Sequence, residues 1–315
     1  MQKYVSANDG SRYARSKLLG YYIQRACTSR SLRRLATRAV VTGLTALHGR
    51  PACRQSPDPA SASTLRLQGY AGLGQLLSAH QCDEIHAYLR HQEMVASRGS
   101  GERFTMASLP QGTVMGNYPL DTVVNCPHVM QIANHPEVIA MASRYLGYTP
   151  TITLISLRWS FPSETADPDV QHFHRDSEVG SIKLLVFLTD VDDESGPHSY
   201  VPGSHHDRMP LRLRRYADAE VERLHGGATV ITGPAGTAVA IDAKGIHKGI
   251  PPTRQPRLLL AVQYSLLPCL MYAYSPTAYR GPGRFDPYIN RLMLAGESGQ
   301  SAIPGHTPEI MPLPE

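Results

Sequence analysis

The sequence predicts a mainly β fold with flanking helices. Three observations predict it. From about residue 150 onward, apolar residues come in short β-branched or alternating runs: TITLISLRWS, IKLLVFLTDV, SYVPGS, TVITG, TAVAIDA and RLLLAVQYSLL, separated by Gly, Pro and Asp turns. Proline (25) and glycine (26) are plentiful and spread along the chain, which favours many turns and short strands over a helical bundle. Helical periodicity is confined to the first half. The expected β region holds roughly six to eight strands.

The elements follow in order. Residues 31–48 read as an amphipathic helix, with Leu32, Leu35, Ala36, Ala39, Val40, Gly43 and Leu47 on one stripe and Arg33, Arg34 and Arg38 beside it. The stripe is expected to lie on the main domain. Residues 50–64 are a Pro/Ser/Ala linker. A second helix starts near Ser78, where Ser78 and Gln81 form an S-x-x-Q capping box and Cys82, Ile85 and Leu89 give the apolar face. Another covers 136–145, opened by Pro136 and closed by Gly147. The chain divides into a basic helical extension and linker (1–64), a catalytic domain (65–270) and a tail packed on that domain (271–315).

Composition narrows the function classes. The balance of 42% apolar to 18% charged residues is that of a globular chain. Its net charge of +5 is uneven: residues 1–54 hold eleven Lys or Arg and a single acid, Asp9, leaving twenty basic and twenty-five acidic residues in the rest. A basic extension of this kind suits a weak surface interaction; no nucleic-acid partner is expected. Cys27, Cys53, Cys82, Cys126 and Cys269 form no CxxC or zinc-ribbon spacing. No apolar run is long enough to span a bilayer and no signal-peptide core follows Met1, so the expected location is cytoplasmic. No GxGxxG or Walker A loop is present, which argues against dinucleotide and NTP chemistry.

The chemistry centres on Gln171-His172-Phe173-His174-Arg175-Asp176. On a strand, His174 and Asp176 point the same way, about 6–7 Å apart at the backbone, so one metal ion can be gripped by both. A second imidazole completes the 2-His-1-carboxylate set that suits non-haem Fe(II). The segment GTAVAIDAKGIHKG supplies it: an alternating strand ends at His247, with glycines on both sides. Ten residues on, Arg257 opens an apolar strand. A cation there needs an anion, and the C5 carboxylate of 2-oxoglutarate is one that a guanidinium grips bidentately. Arg254 sits in the proline-flanked turn PPTRQP and is the weaker candidate for that anchor.

With QHFHRD, the acidic-loop segment KLLVFLTDVDDESGP, VPGSH, the GTAVAIDAKGIHKG segment and the arginine strand in this order, the chain resembles the phytanoyl-CoA dioxygenase family over roughly 65–270. The resemblance implies a double-stranded β-helix (jelly-roll) core. It also implies Fe(II) on His174, Asp176 and His247, 2-oxoglutarate on Arg257, and O2 as oxidant. Asn117, in GNYP, lies where the family can place a polar co-substrate contact. Two positions depart from the family: Gly249 replaces a small hydroxyl residue found in some members, and Leu188 an aromatic one.

Other motifs have plainer readings. His205 and His206 are expected to be exposed on a turn, His172 near the barrel mouth, Asp190 to Glu194 in a solvated loop, and Trp159 in the core. The expected activity is that of a dioxygenase hydroxylating a small molecule with release of succinate and CO2. Desaturation, cyclisation or epoxidation at the same site, and a non-catalytic jelly-roll binding protein, are the alternatives.

Overall fold

The computed structural model describes residues 3–4, 27–49, 60–97, 102–163, 171–176, 178, 180–207, 214–270 and 272–296. The strands are β1 (Lys3–Tyr4), β2 (Tyr70–Gln75), β3 (Met94–Ala96), β4 (Arg103–Phe104), β5 (Met115–Asn117), β6 (Thr151–Ser160), β7 (Ser181–Phe187), β8 (His198–Tyr200), β9 (Thr229–Ile231), β10 (Thr237–Ile241), β11 (His247–Gly249), β12 (Arg257–Ser265) and β13 (Tyr272–Ala273). The helices are α1 (Arg30–His48), α2 (Ala60–Gln68), α3 (Ala79–Leu89), α4 (Leu120–Asn125), α5 (Val129–Ala133), α6 (Pro136–Leu146), α7 (Asp218–His225) and α8 (Pro287–Asn290).

Two antiparallel sheets face one another. The larger has eight strands in the order β2-β10-β7-β12-β6-β5-β3-β4, and the smaller has the order β11-β8-β9. Alternation along the strands splits the apolar residues between two cores. One face of the large sheet packs under the helices: Leu157 and Trp159 of β6, Leu184 and Val186 of β7, and Leu258 and Leu260 of β12 join Ile85 and Leu89 of α3 and Val138 and Met141 of α6. The other face meets the small sheet, where Leu185, Val239 and Ile241 gather round Tyr200 with Leu259 and Ala261 against them. This mainly antiparallel, jelly-roll arrangement is the predicted fold class.

All six predicted strand runs are present. Those not predicted are short and interrupted by glycine or polar residues. β2 reads YAGLGQ and β5 reads MGN, so neither shows the period of two on which strand prediction depends. The capping box forms as predicted: Gln81 N donates to Ser78 Oγ (3.2 Å) and Ser78 N to Gln81 Oε1 (2.9 Å). Gly147 closes α6 at φ 87°.

Two expectations need correction. The linker was expected to run to residue 64, yet α2 begins at Ala60, because Ala62 and Leu65 find burial against the domain. The amphipathic helix is present as α1, but most of its predicted stripe faces outward: Leu32, Leu35 and Leu47 are exposed. Of the stripe, Val40 packs on the domain, joined by Val41 and Leu44 from outside it. Arg33 is turned inward, where its Nε donates to the carbonyl of Cys27 (2.7 Å). Cys53, the rest of the linker and the ends of the chain beyond 3–4 and 296 lie outside the described residues. Among the described residues, no helix is long and apolar enough to cross a membrane.

Candidate metal centre

The space between the sheets holds the predicted site. His174 forms an isolated antiparallel bridge with His247, which opens β11. His174 N donates to His247 O (3.0 Å), and His247 N to His174 O (3.1 Å). Asp176 N donates to Ala243 O (2.8 Å). These contacts tie the His-x-Asp segment to the segment after β10. One ligand atom each of His174, Asp176 and His247 lies within 4.8 Å of the others. Gly245 is needed here because a Cβ at that position would run into the Tyr200 ring.

The backbone prepares both imidazoles. Nδ1 of His174 lies 2.8 Å from the His172 carbonyl, and Nδ1 of His247 lies 3.0 Å from the Gly245 carbonyl. With Nδ1–H donating to a carbonyl, each ring turns the Nε2 lone pair to the site, a common arrangement among metal-binding histidines. Burial and the neighbouring His174 push His247 down to about 3, so it stays neutral. Burial alone would raise the Asp176 carboxyl. Lys183, His247 and His174 outweigh that and hold it below the ordinary carboxylate range.

Sequence reasoning missed Lys183. It lies on β7 opposite Gln263, and its Nζ pairs with Asp176 Oδ2. The same strand logic that singled out Arg257 applies to a lysine inside SIKLLVF. Glu178 lies beside this pair, and burial together with the Asp176 charge raises its carboxyl.

Arg257 is buried, with Nη1 donating to the Gly196 carbonyl. Its Nε has no hydrogen-bond partner among the described residues, and neither has the buried Nε2 of His198. Burial and the nearby Arg158 push Arg257 down to about 10, still a cation at neutral pH. A buried guanidinium with an N–H left over fits an anionic co-substrate. Arg254 lies at the surface and pairs with Glu194 (3.1 Å).

Asn117 is buried on β5 with both ends of its amide engaged. Its Oδ1 accepts from Arg158 Nε (2.8 Å) and its Nδ2 donates to Ser97 Oγ (2.8 Å). His172, expected near the barrel mouth, is exposed. His205 is a correction: it is buried, its Nε2 is 3.0 Å from the Arg66 carbonyl, and it packs on His206. The Ser204–His206 turn is pressed onto α2, which brings that carbonyl to the imidazoles. Trp159 is core, stacked near Phe161 and donating to Tyr118 Oη (3.2 Å). In the acidic loop, Asp192 accepts from the backbone of Glu194 and Ser195.

A family model for phytanoyl-CoA dioxygenase matches residues 65–257. The chain belongs to the phytanoyl-CoA dioxygenase family. L-proline trans-4-hydroxylase of Streptomyces griseoviridis is 29% identical over a match covering 41% of this chain and 60% of that protein. HygX from Streptomyces hygroscopicus, solved with nickel and 2-oxoglutarate bound, shares the fold with a TM-score of 0.50 and 15% identity, over 73% of this chain and 97% of its own. The epimerase SnoN, solved with Fe3+, alpha ketoglutarate and nogalamycin RO, matches at a TM-score of 0.48 and 24% identity, over 65% of this chain and 82% of its own.

Proposed function

We propose that the protein is a non-haem Fe(II)- and 2-oxoglutarate-dependent dioxygenase that hydroxylates a small molecule. His174, Asp176 and His247 hold the iron, and Arg257 holds the far carboxylate of 2-oxoglutarate. The observation that carries this is the pairing of a converged His-Asp-His cluster with a buried arginine that retains an unused N–H. Three protein ligands on one face leave the rest of an iron's coordination sphere for co-substrate and O2. The bound iron supplies O2 activation coupled to decarboxylation: 2-oxoglutarate, O2 and a C–H bond give succinate, CO2 and a C–OH bond.

The chain's own residues do the remaining work. The His172 and Gly245 carbonyls fix the imidazole tautomers. Lys183 keeps Asp176 ionised. The apolar cluster round Leu185, Val239 and Leu259 borders the site and excludes water. Asn117, the other co-substrate candidate, has both ends of its amide engaged and acts by holding Arg158. Hydroxylation is favoured over desaturation, cyclisation or epoxidation by the relative that is named a hydroxylase. L-proline is accordingly a first substrate to try.

In this reading residues 65–270 are the oxygenase unit, flanked by 1–64 and 271–315, and the protein works in the cytoplasm. The outward Leu32, Leu35 and Leu47, with Arg34 and Arg38 also exposed on α1, form the face a weak surface partner would meet. The deciding experiment is anaerobic titration of the purified protein with Fe(II) and then 2-oxoglutarate. A charge-transfer absorption band should appear with one iron per chain and be absent in His174→Ala, Asp176→Ala and His247→Ala. A band of full intensity in Asp176→Ala would exclude this ligand set.

A further inference from the structure

The inner face of the large sheet carries more positive charge than the iron site and 2-oxoglutarate use. Arg158 lies on β6, with Asn117 of β5 on one side and Leu259 of β12 on the other. Leu259 and Ala261 belong to the cluster between the sheets, and Arg257 follows the same alternation on β12. Arg158 therefore faces the chamber, whereas Leu157 and Trp159 face the helices. Its charge acts on both Arg257 and Lys183.

Two further cations on this face, among the described residues, have partners. Lys183 pairs with Asp176 and lies beside Glu178, and the proposed function gives Arg257 to 2-oxoglutarate. Arg158 spends only Nε, on the uncharged Asn117, and makes no ion pair with a carboxylate among the described residues. The Asn117 amide, itself braced by Ser97, fixes the guanidinium at the end nearest the backbone and leaves its terminal N–H groups for a ligand.

We propose that Arg158 is the anchor for a carboxylate on the molecule being oxidised. The substrate is then a small carboxylic acid, such as a free amino acid, held between this guanidinium and the iron. Arg158 is a binding and specificity residue, and Asn117 positions it. This rests on the dioxygenase reading and deepens it.

Matched acids and amides test it, beginning with L-proline against L-prolinamide and extending through the small amino acids. Succinate release is measured with Fe(II) and 2-oxoglutarate present. At least one acid should accelerate release while its amide does not. In Arg158→Gln, half-saturation for that acid should rise tenfold or more, while that for 2-oxoglutarate moves less than twofold. Arg158→Lys, which keeps a charge, should recover part of the loss. The proposal is overturned if no acid accelerates release, if amides match acids, or if Arg158→Gln chiefly raises the half-saturation for 2-oxoglutarate. Absence of the Fe(II)–2-oxoglutarate band in the unaltered protein would instead bring down the dioxygenase reading itself.

Discussion

At the residue scale, the two arginines near the end of the β region differ by environment alone. Arg257 is buried with an unused N–H, and Arg254 is exposed and paired with Glu194. Arg257→Ala should raise half-saturation for 2-oxoglutarate by roughly thirty- to a thousandfold, the equivalent of about 2–4 kcal/mol for one buried charged contact. Arg254→Ala should change it less than about twofold, since exposed ion pairs contribute little. A reversed pattern in steady-state kinetics would move the anchor. Gly196 supports the same anchor from behind. It sits at φ 75°, and an added Cβ would come within 2.6 Å of the Ile250 carbonyl and 2.7 Å of Pro252 N. Both are backbone atoms, so the loop must shift and carry the Gly196 carbonyl away from Arg257. Gly196→Ala should lower stability by about 1–3 kcal/mol and weaken 2-oxoglutarate binding together. A thermal melt beside a 2-oxoglutarate titration measures both. The three clustered metal-binding side chains and the buried arginine were legible in the sequence because metal chemistry and charge burial restrict residue type and spacing. Lys183 and Arg158 obey the same rule, charge on the inner face of an apolar strand. Their runs, SIKLLVF and SLRWS, hide that face because both faces of the sheet are covered.

At the element scale, α1 shows where sequence patterning fails. Most of its apolar stripe is exposed, Val40 excepted, and the packed face combines Arg33 and Thr37 with Val40, Val41 and Leu44. Periodicity located the helix, but the choice of face came from tertiary partners that no local pattern encodes. The Cys27 carbonyl takes Arg33, and Val41 packs beside Gly147. Leu44→Ser should therefore cost about 1–2 kcal/mol in a denaturant melt, and Leu35→Ser within about 0.5 kcal/mol of nothing. Equal losses would return the helix to its predicted face. A second element, α6, is tied to the end of β10 by Tyr145 Oη, which donates to Asp242 Oδ2 at 2.5 Å. Burial pushes the Asp242 carboxyl up, but Lys244 and the Tyr145 hydrogen bond outweigh it and hold it below its ordinary value. A carboxyl depressed in the folded state stabilises fully above its ordinary pKa, and that share is lost as pH falls through the folded value. Tyr145→Phe should cost about 1–3 kcal/mol at neutral pH. The gap to the unaltered protein should close only in acid below the usual carboxylate range. A gap that closes near neutrality would mean another group is responsible.

At the scale of the whole molecule, the flanking segments cover the parts of the domain that the sheets leave open. Thr37 and Val40 of α1 border a small cavity of about 30 Å³ with Glu178, whose carboxyl feels the Asp176 charge, and the stretch Ser265–Cys269. The far end of α1 reaches the tail, where the His48 and Tyr288 rings meet at 5.7 Å. The tail is held in turn by Asn290 with Asn134 and by Arg280 with Asp121 (2.7 Å). A helix of this length is marginal alone in water, so α1 and the surface beneath it stabilise each other. Removing residues 1–59 leaves every candidate iron ligand in place but uncovers the ground under Val40, Val41 and Leu44. Half-burial of those three side chains is worth about 3 kcal/mol, which for a domain of this size is a fall of roughly 6–12 °C in Tm. The shortened protein should still take up one Fe(II) and form the 2-oxoglutarate band. Its Tm should fall at low and high salt alike, since apolar burial supplies most of the contact, to which Arg30 adds a hydrogen bond to the His205 carbonyl (2.6 Å). A loss of Tm that was large at low salt and shrank towards nothing as salt rose would place the contact in the arginines of α1, and apolar burial would not be what holds the helix.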